Sequence, residues 1–170
     1  MTNKWFDRKF DFSFGMDQYD HLLNRLEQAP SLFHRVLSQL SEEVQIVKPN
    51  GKWSIKENIG HLAVLEPLWR TRFQDIREGK VEMTPADLNN TLTNAKGFNG
   101  EQLGGLLETF YVERNKTGVL LKNMVERDFS KTSIHPRLQQ PMRIVDMLYF
   151  VVEHDRHHLD AIQGIMGGNH

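Results

Sequence analysis

The chain contains no cysteine. Disulfides and thiolate metal ligands are therefore excluded, and any metal has to be held by histidine, carboxylate or water. Any thiol chemistry must borrow its thiol from a substrate. Long apolar runs are missing too: none approaches the ~20 residues that a membrane helix needs. The opening residues, Met1 to Arg8, lack the apolar segment of a secretory signal. Charge of one sign is not in excess. Lys and Arg total 21 against 22 Asp and Glu, interspersed, for a net charge of −1. That balance offers no basic face for nucleic acid and no polybasic contact for a membrane. A cytoplasmic protein with a small-molecule partner is the expectation.

What is present fits one globular domain over residues 1–170. Hydrophobic residues make up 39% and charged residues 25%, enough for a sizeable core in a chain of this length. Phe10, Phe12 and Phe14 alternate with polar residues and read as an extended strap packed on helices. From Met16 to Ala29 the apolar spacing is helical. Pro30 is expected to interrupt it, with Ser31 capping a continuation to Leu40. Asn50-Gly51 is a turn. Ser54 and Glu57 form a capping box that opens a helix reaching Glu78, stopped by Gly79. Thr84-Pro85-Ala86-Asp87 reads as a cap with proline at the first helical position, starting a short extra helix. Glu101 to Arg127 is a third long helical pattern, and Asp128 to Pro141 a loop. Arg143 to Met166 is the last helix, ended by Gly167-Gly168. Four long helices and no strand-rich region predict an all-α four-helix bundle.

The run His154-Asp155-Arg156-His157-His158 lies in the last helix. At 100° per residue, His154 and His158 fall in one stripe with Ile144, Met147, Val151, Ile162 and Ile165, and so replace core positions. His157 turns toward the polar side and reads as a surface residue. Asp155 falls beside the stripe, where a carboxylate wants a partner: an imidazole to orient, or a basic side chain. On the helix from Ser54, His61 lies within the arc of Ile59, Leu62, Leu65 and Trp69. A lone inward histidine is ordinarily a hydrogen-bonded core residue. Three of them on two helices carry six ring nitrogens to satisfy, and a shared metal does this economically. His34 is a lesser candidate for a fourth ligand or a pocket residue. His21 shares the N-terminal helices, His135 is in a loop and His170 is terminal.

Two blocks carry a family resemblance. The segment Gly51 to Leu62, with Trp53, Ser54, Glu57, His61 and Leu62 in order, resembles the W-[ST]-x-x-E-x-x-x-H-L segment of the DinB/YfiT-like superfamily. His135-Pro136, followed by His154, His158 and Ile162, resembles that family's C-terminal block. The resemblance covers most of the chain. It implies a four-helix bundle with a three-histidine site for a divalent metal, and it maps that site onto His61, His154 and His158. It implies a choice of activities: transfer of a low-molecular-weight thiol such as bacillithiol, mycothiol or glutathione, a thiol-dependent isomerisation, or metal-dependent hydrolysis. It also implies a homodimer. One departure is Leu138-Gln139-Gln140, where relatives often place a glycine.

Imidazole ligands suit zinc, nickel, iron or copper. Hydrolysis calls for a general base. Glu57, one turn before His61, and Asp155, as an orienter of an imidazole, are the weak candidates for such a role. With no clear base, a thiol transferase acting on a small electrophile is the leading expectation. The alternatives are a metal-dependent hydrolase and a non-catalytic metal- or ligand-binding stress protein. Arg70 and Arg72 could meet carboxylates of a thiol cosubstrate, although the solvated-face reading is favoured.

Overall fold

A computed structural model describes residues 5–168, so His170 lies outside the described part. Four long helices form a bundle: α1 (Tyr19–Leu37), α3 (Ile55–Glu78), α5 (Leu103–Lys122) and α6 (Ile144–Met166). Short helices α2 (Glu42–Gln45) and α4 (Thr91–Ala95) lie in the connections. A two-residue ribbon pairs β1 (Ser133–Ile134) with β2 (Pro141–Met142), antiparallel. The main packing partners of α1 are α5 and α6, and α3 packs on the same two helices. Successive long helices α1 and α3 are thus diagonal, unlike an up-and-down bundle whose chain neighbours touch. Among the described residues no helix is long and apolar enough to cross a membrane.

The core divides into two apolar clusters. One joins Phe10 and Leu22 to Phe73, Met147 and Phe150. The other joins Phe33 to Ile59, Phe110 and Ile162. Between them lies a polar layer built on Arg114 of α5, which is 1% exposed. Its guanidinium grips the Asp155 carboxylate of α6 through two nitrogens, at 2.6 and 2.9 Å. It also donates to Glu66 of α3 at 2.8 Å and to the Leu26 carbonyl of α1 at 3.0 Å. One side chain therefore ties all four helices.

That layer explains why α1 runs unbroken through Pro30, against the sequence expectation. A proline lacks the N–H that would bond the carbonyl four residues earlier. Here that carbonyl belongs to Leu26, and Arg114 takes it. Two further expectations are corrected. The short helix does not start at Thr84, because the Thr84 hydroxyl and N–H both serve the buried Asp75 carboxylate, each at 2.8 Å. Asp87 instead accepts from Thr91 N–H at 2.7 Å at the mouth of α4. The third long helix ends at Lys122 rather than Arg127. The capping box of Ser54 and Glu57 and the left-handed Gly79 stop, φ 73°, stand as read from the sequence.

Candidate metal centre

α3 and α6 are neighbours, and their buried faces bring His61, His154 and His158 together. Each offers a ring nitrogen, and the three lie within 4.8 Å of one another. Residues reached from elsewhere in the chain set the ring orientations. The Asn58 amide nitrogen donates to the Ser54 and Trp53 carbonyls, at 2.7 and 3.3 Å. Its oxygen must then face His158 Nδ1, 2.7 Å away, which carries the proton. His158 Nε2 is left with its lone pair directed at the centre. His61 Nδ1 meets the Thr93 hydroxyl of α4 at 3.0 Å, which leaves Nε2 as the nitrogen without that partner. Trp53 lies against the rings of His61 and His158 and is anchored by a hydrogen bond to Asn94 at 3.1 Å. The short helix α4 therefore holds both a candidate ligand and the ring that covers it.

The third member is less satisfied. His154 Nε2 stands 3.2 Å from His158 Nε2, and its Nδ1 is buried without a partner among the described residues. An unpaired buried polar group costs about 1–3 kcal/mol. Convergent nitrogens with only one another to face are the donor set that a cation satisfies, so these residues fit one. Their charge state agrees. Burial, then the His157 ring nearby, pushes the His61 pKa down to about 4. Burial and the neighbouring imidazoles hold His154 and His158 well below the usual histidine range. All three are neutral at pH 7, the form that ligates metal.

The centre borders a cavity of about 290 Å³. Its walls are largely aromatic, with Trp5, Trp69 and Phe150 beside the histidines, and exposed Phe6 and Leu88 stand at its rim. Several sequence readings are revised here. His157 is half-buried and lines the cavity rather than facing solvent. Arg72 is not on a solvated face: it is buried, lines the cavity and sits 3.0 Å from His135 Nε2. Arg70 is taken by Glu113 at 2.6 Å. Asp155 gives its carboxylate to Arg114 rather than to an imidazole. Glu57 is occupied by the Ser54 N–H, at 2.8 Å, and by Lys48, at 2.7 Å. His21 and His34 are exposed on α1. Asn58, Thr93 and His135 were not singled out from the sequence as parts of the site.

Residues 25–162 match the family model of the DinB superfamily. The chain belongs to the DinB superfamily. A curated relative from Bacillus licheniformis, described as a candidate metal-dependent hydrolase, is 27% identical over 143 residues, covering 81% of this chain and 79% of that one. The solved structure of YfiT from Bacillus subtilis superposes with a TM-score of 0.80 at 19% identity, over 93% of this chain and 91% of that one. YfiT is described as a probable metal-dependent hydrolase with an unusual four-helix bundle topology. The diagonal placement of α1 and α3 is consistent with that fold. A DinB-type bundle with a buried three-histidine cluster at the end of an aromatic cavity is thus the frame for any function.

Proposed function

We propose that the protein is a divalent-metal-dependent enzyme acting on small molecules, with His61, His154 and His158 as the metal ligands. The observation that carries this is the convergence of three neutral, buried imidazoles on one point beside a cavity. When bound, zinc, nickel or iron at such a site lowers the pKa of a coordinated water or thiol and polarises an electrophile. The chain's own residues supply the rest. Asn58 and Thr93 hold two of the rings in register, and Trp5, Trp53 and Trp69 keep water from the inner wall.

The finer reading is transfer of a low-molecular-weight thiol to a small electrophile. What supports it is the state of the carboxylates. Asp87, the acidic residue on the cavity wall, is tied to the N–H groups of Asn89 and Thr91, and Asp155 and Glu57 are tied to Arg114, Ser54 and Lys48. Each of these carboxylates already serves other donors, whereas a thiol needs no such base once its sulfur is coordinated. Hydrolysis remains the second reading, favoured by the descriptions of both relatives. Action in the cytoplasm and as a single domain, expected from composition and length, and as a homodimer, implied by the family resemblance, belongs to the same proposal. The test is turnover by zinc- or nickel-loaded protein given a thiol, such as glutathione or bacillithiol, with a small electrophile. The transferase reading expects a thiol-dependent rate that His61→Ala removes. Ester cleavage without thiol would overturn that reading in favour of hydrolysis.

A further inference from the structure

One wall of the cavity is built of cations that lack a counter-charge. Arg72 of α3 is 3% exposed, yet no carboxylate pairs with it among the described residues. Its Nε–H donates to the Thr84 carbonyl at 2.9 Å, and its Nη1 stands 3.0 Å from His135 Nε2. Asp75, one turn on, is held by Lys80 and Thr84. A buried arginine is ordinarily paired. Burial and the charge of Arg137 push the Arg72 pKa down to about 10, and the nearby Asp75 carboxylate offsets this only in part.

Arg137 comes from the loop between β1 and β2. Backbone bonds from Ile134 N–H to Val81 O, at 2.9 Å, and from Met83 N–H to Ile134 O, at 3.0 Å, fix that ribbon beside the chain leaving α3. Arg137 Nη1 donates to the Phe6 carbonyl at 3.1 Å, while Nη2 is buried with no partner among the described residues. His135 adds to the imbalance. Its Nδ1 accepts the N–H groups of Arg137 and Leu138, both at 3.2 Å. A neutral imidazole has one acceptor nitrogen. Nε2 then carries the proton and faces the Arg72 Nη1–H, a second donor. Donors outnumber acceptors on this wall.

We infer that Arg72 and Arg137, bridged by His135, form an anion subsite that takes the carboxylate of a small substrate whose other end reaches the three histidines. This deepens the proposed function and rests on it for the second half. The distance suits such a molecule: the Trp69 ring lies 5.6 Å from the Arg72 guanidinium carbon and 5.4 Å from the His154 ring. The aromatic wall between the two ends selects an apolar middle. A carboxylate would give Arg137 Nη2 and Arg72 the acceptor that they lack, and bidentate recognition of this kind is what guanidinium groups do best.

The subsite is tested on metal-free protein, so that its failure is separate from any failure of the metal reading. Calorimetric titration compares 3-phenylpropanoate with the uncharged 3-phenylpropanamide. The acid should bind at least ~10-fold more tightly, the worth of one or two hydrogen bonds to a charged group. Arg137→Gln should erase that preference, and Arg72→Lys, which keeps the charge but loses the planar fork, should reduce it. His154→Ala should leave the acid's affinity within about twofold, as for an independent site. A second arm uses zinc-loaded protein with 3-mercaptopropanoate and with 3-phenylpropanoate. The ligand whose binding depends more on Arg137 identifies whether the thiol or the other reactant carries the carboxylate. Equal affinity for acid and amide, or undiminished acid binding in Arg137→Gln, would overturn the inference.

Discussion

His61, His154 and His158 could be named from helical phase alone, because a period of 3.6 fixes which side chains share a buried face. What orients them could not. Asn58 and Thr93 are ordinary polar residues in sequence, and they matter only because α6 and α4 are brought against α3. Arg72 was misjudged for the same reason: its solvated-face reading assumed that nothing covers that side of α3, yet the His135 loop does. Burial of these imidazoles has a consequence for stability. Unfolded histidines titrate near pH 6.5. In the folded chain His61 takes up its proton only at about pH 4 and His135 at about 3. Between those values the unfolded chain holds more protons, so stability is complete above pH 6.5 and lost as pH falls through that window. Each such histidine contributes a slope of up to ~1.4 kcal/mol per pH unit. Urea unfolding of metal-free protein should therefore show a clearly lower midpoint at pH 5 than at pH 7. A flat midpoint would mean that the imidazoles charge in place.

The long helices α3 and α6 were readable to within a residue because each carries explicit start and stop chemistry. Ser54, Glu57 and Gly79 bound one, and Gly167-Gly168 closes the other. α1 runs past Pro30 because its decisive partner is distant in sequence, whereas α4 starts late because Asp75, at the end of α3, takes Thr84. Arg114 lies 88 residues from the Leu26 carbonyl that it satisfies. Removing it should show the cost: Arg114→Met leaves Glu66 and Asp155 buried without their cation and should lower stability by about 3–5 kcal/mol in chemical denaturation. A loss below ~1 kcal/mol would show that the layer does not bind the helices together. The loop departure at Leu138-Gln139-Gln140 has a backbone meaning. Gln139 adopts φ 54°, a left-handed conformation that glycine takes without strain, and its side chain bonds back to the Pro136 carbonyl. Close approach also governs Gly60, next to His61. A Cβ there would meet the Phe98 ring at 2.5 Å. Alanine ordinarily gains ~1 kcal/mol over glycine inside a helix. Gly60→Ala should instead destabilise, by about 1–3 kcal/mol, because overpacking a buried contact outweighs propensity. A raised melting temperature would show that Phe98 yields.

The architecture of the whole bundle places the proposed metal centre where the fold need not depend on it. Two apolar clusters and the Arg114 layer hold the four helices, and the histidines lie where α3 and α6 meet the cavity. Metal removal should therefore leave a folded protein, and added zinc should raise its melting temperature with concentration, as for any ligand that binds only the native state. The four-helix class followed from sequence patterning, since four amphipathic segments have few ways to bury their faces. The diagonal order of the helices did not, because apolar stripes specify burial and not neighbours. Calorimetric titration of zinc into untagged, metal-free protein puts the assignment of the centre to trial. One equivalent should bind, and His61→Ala, His154→Ala and His158→Ala should each abolish stoichiometric uptake while His157→Ala keeps most of it. A wild-type protein that takes up no zinc, or a His158→Ala variant that binds as the wild type does, would contradict the account.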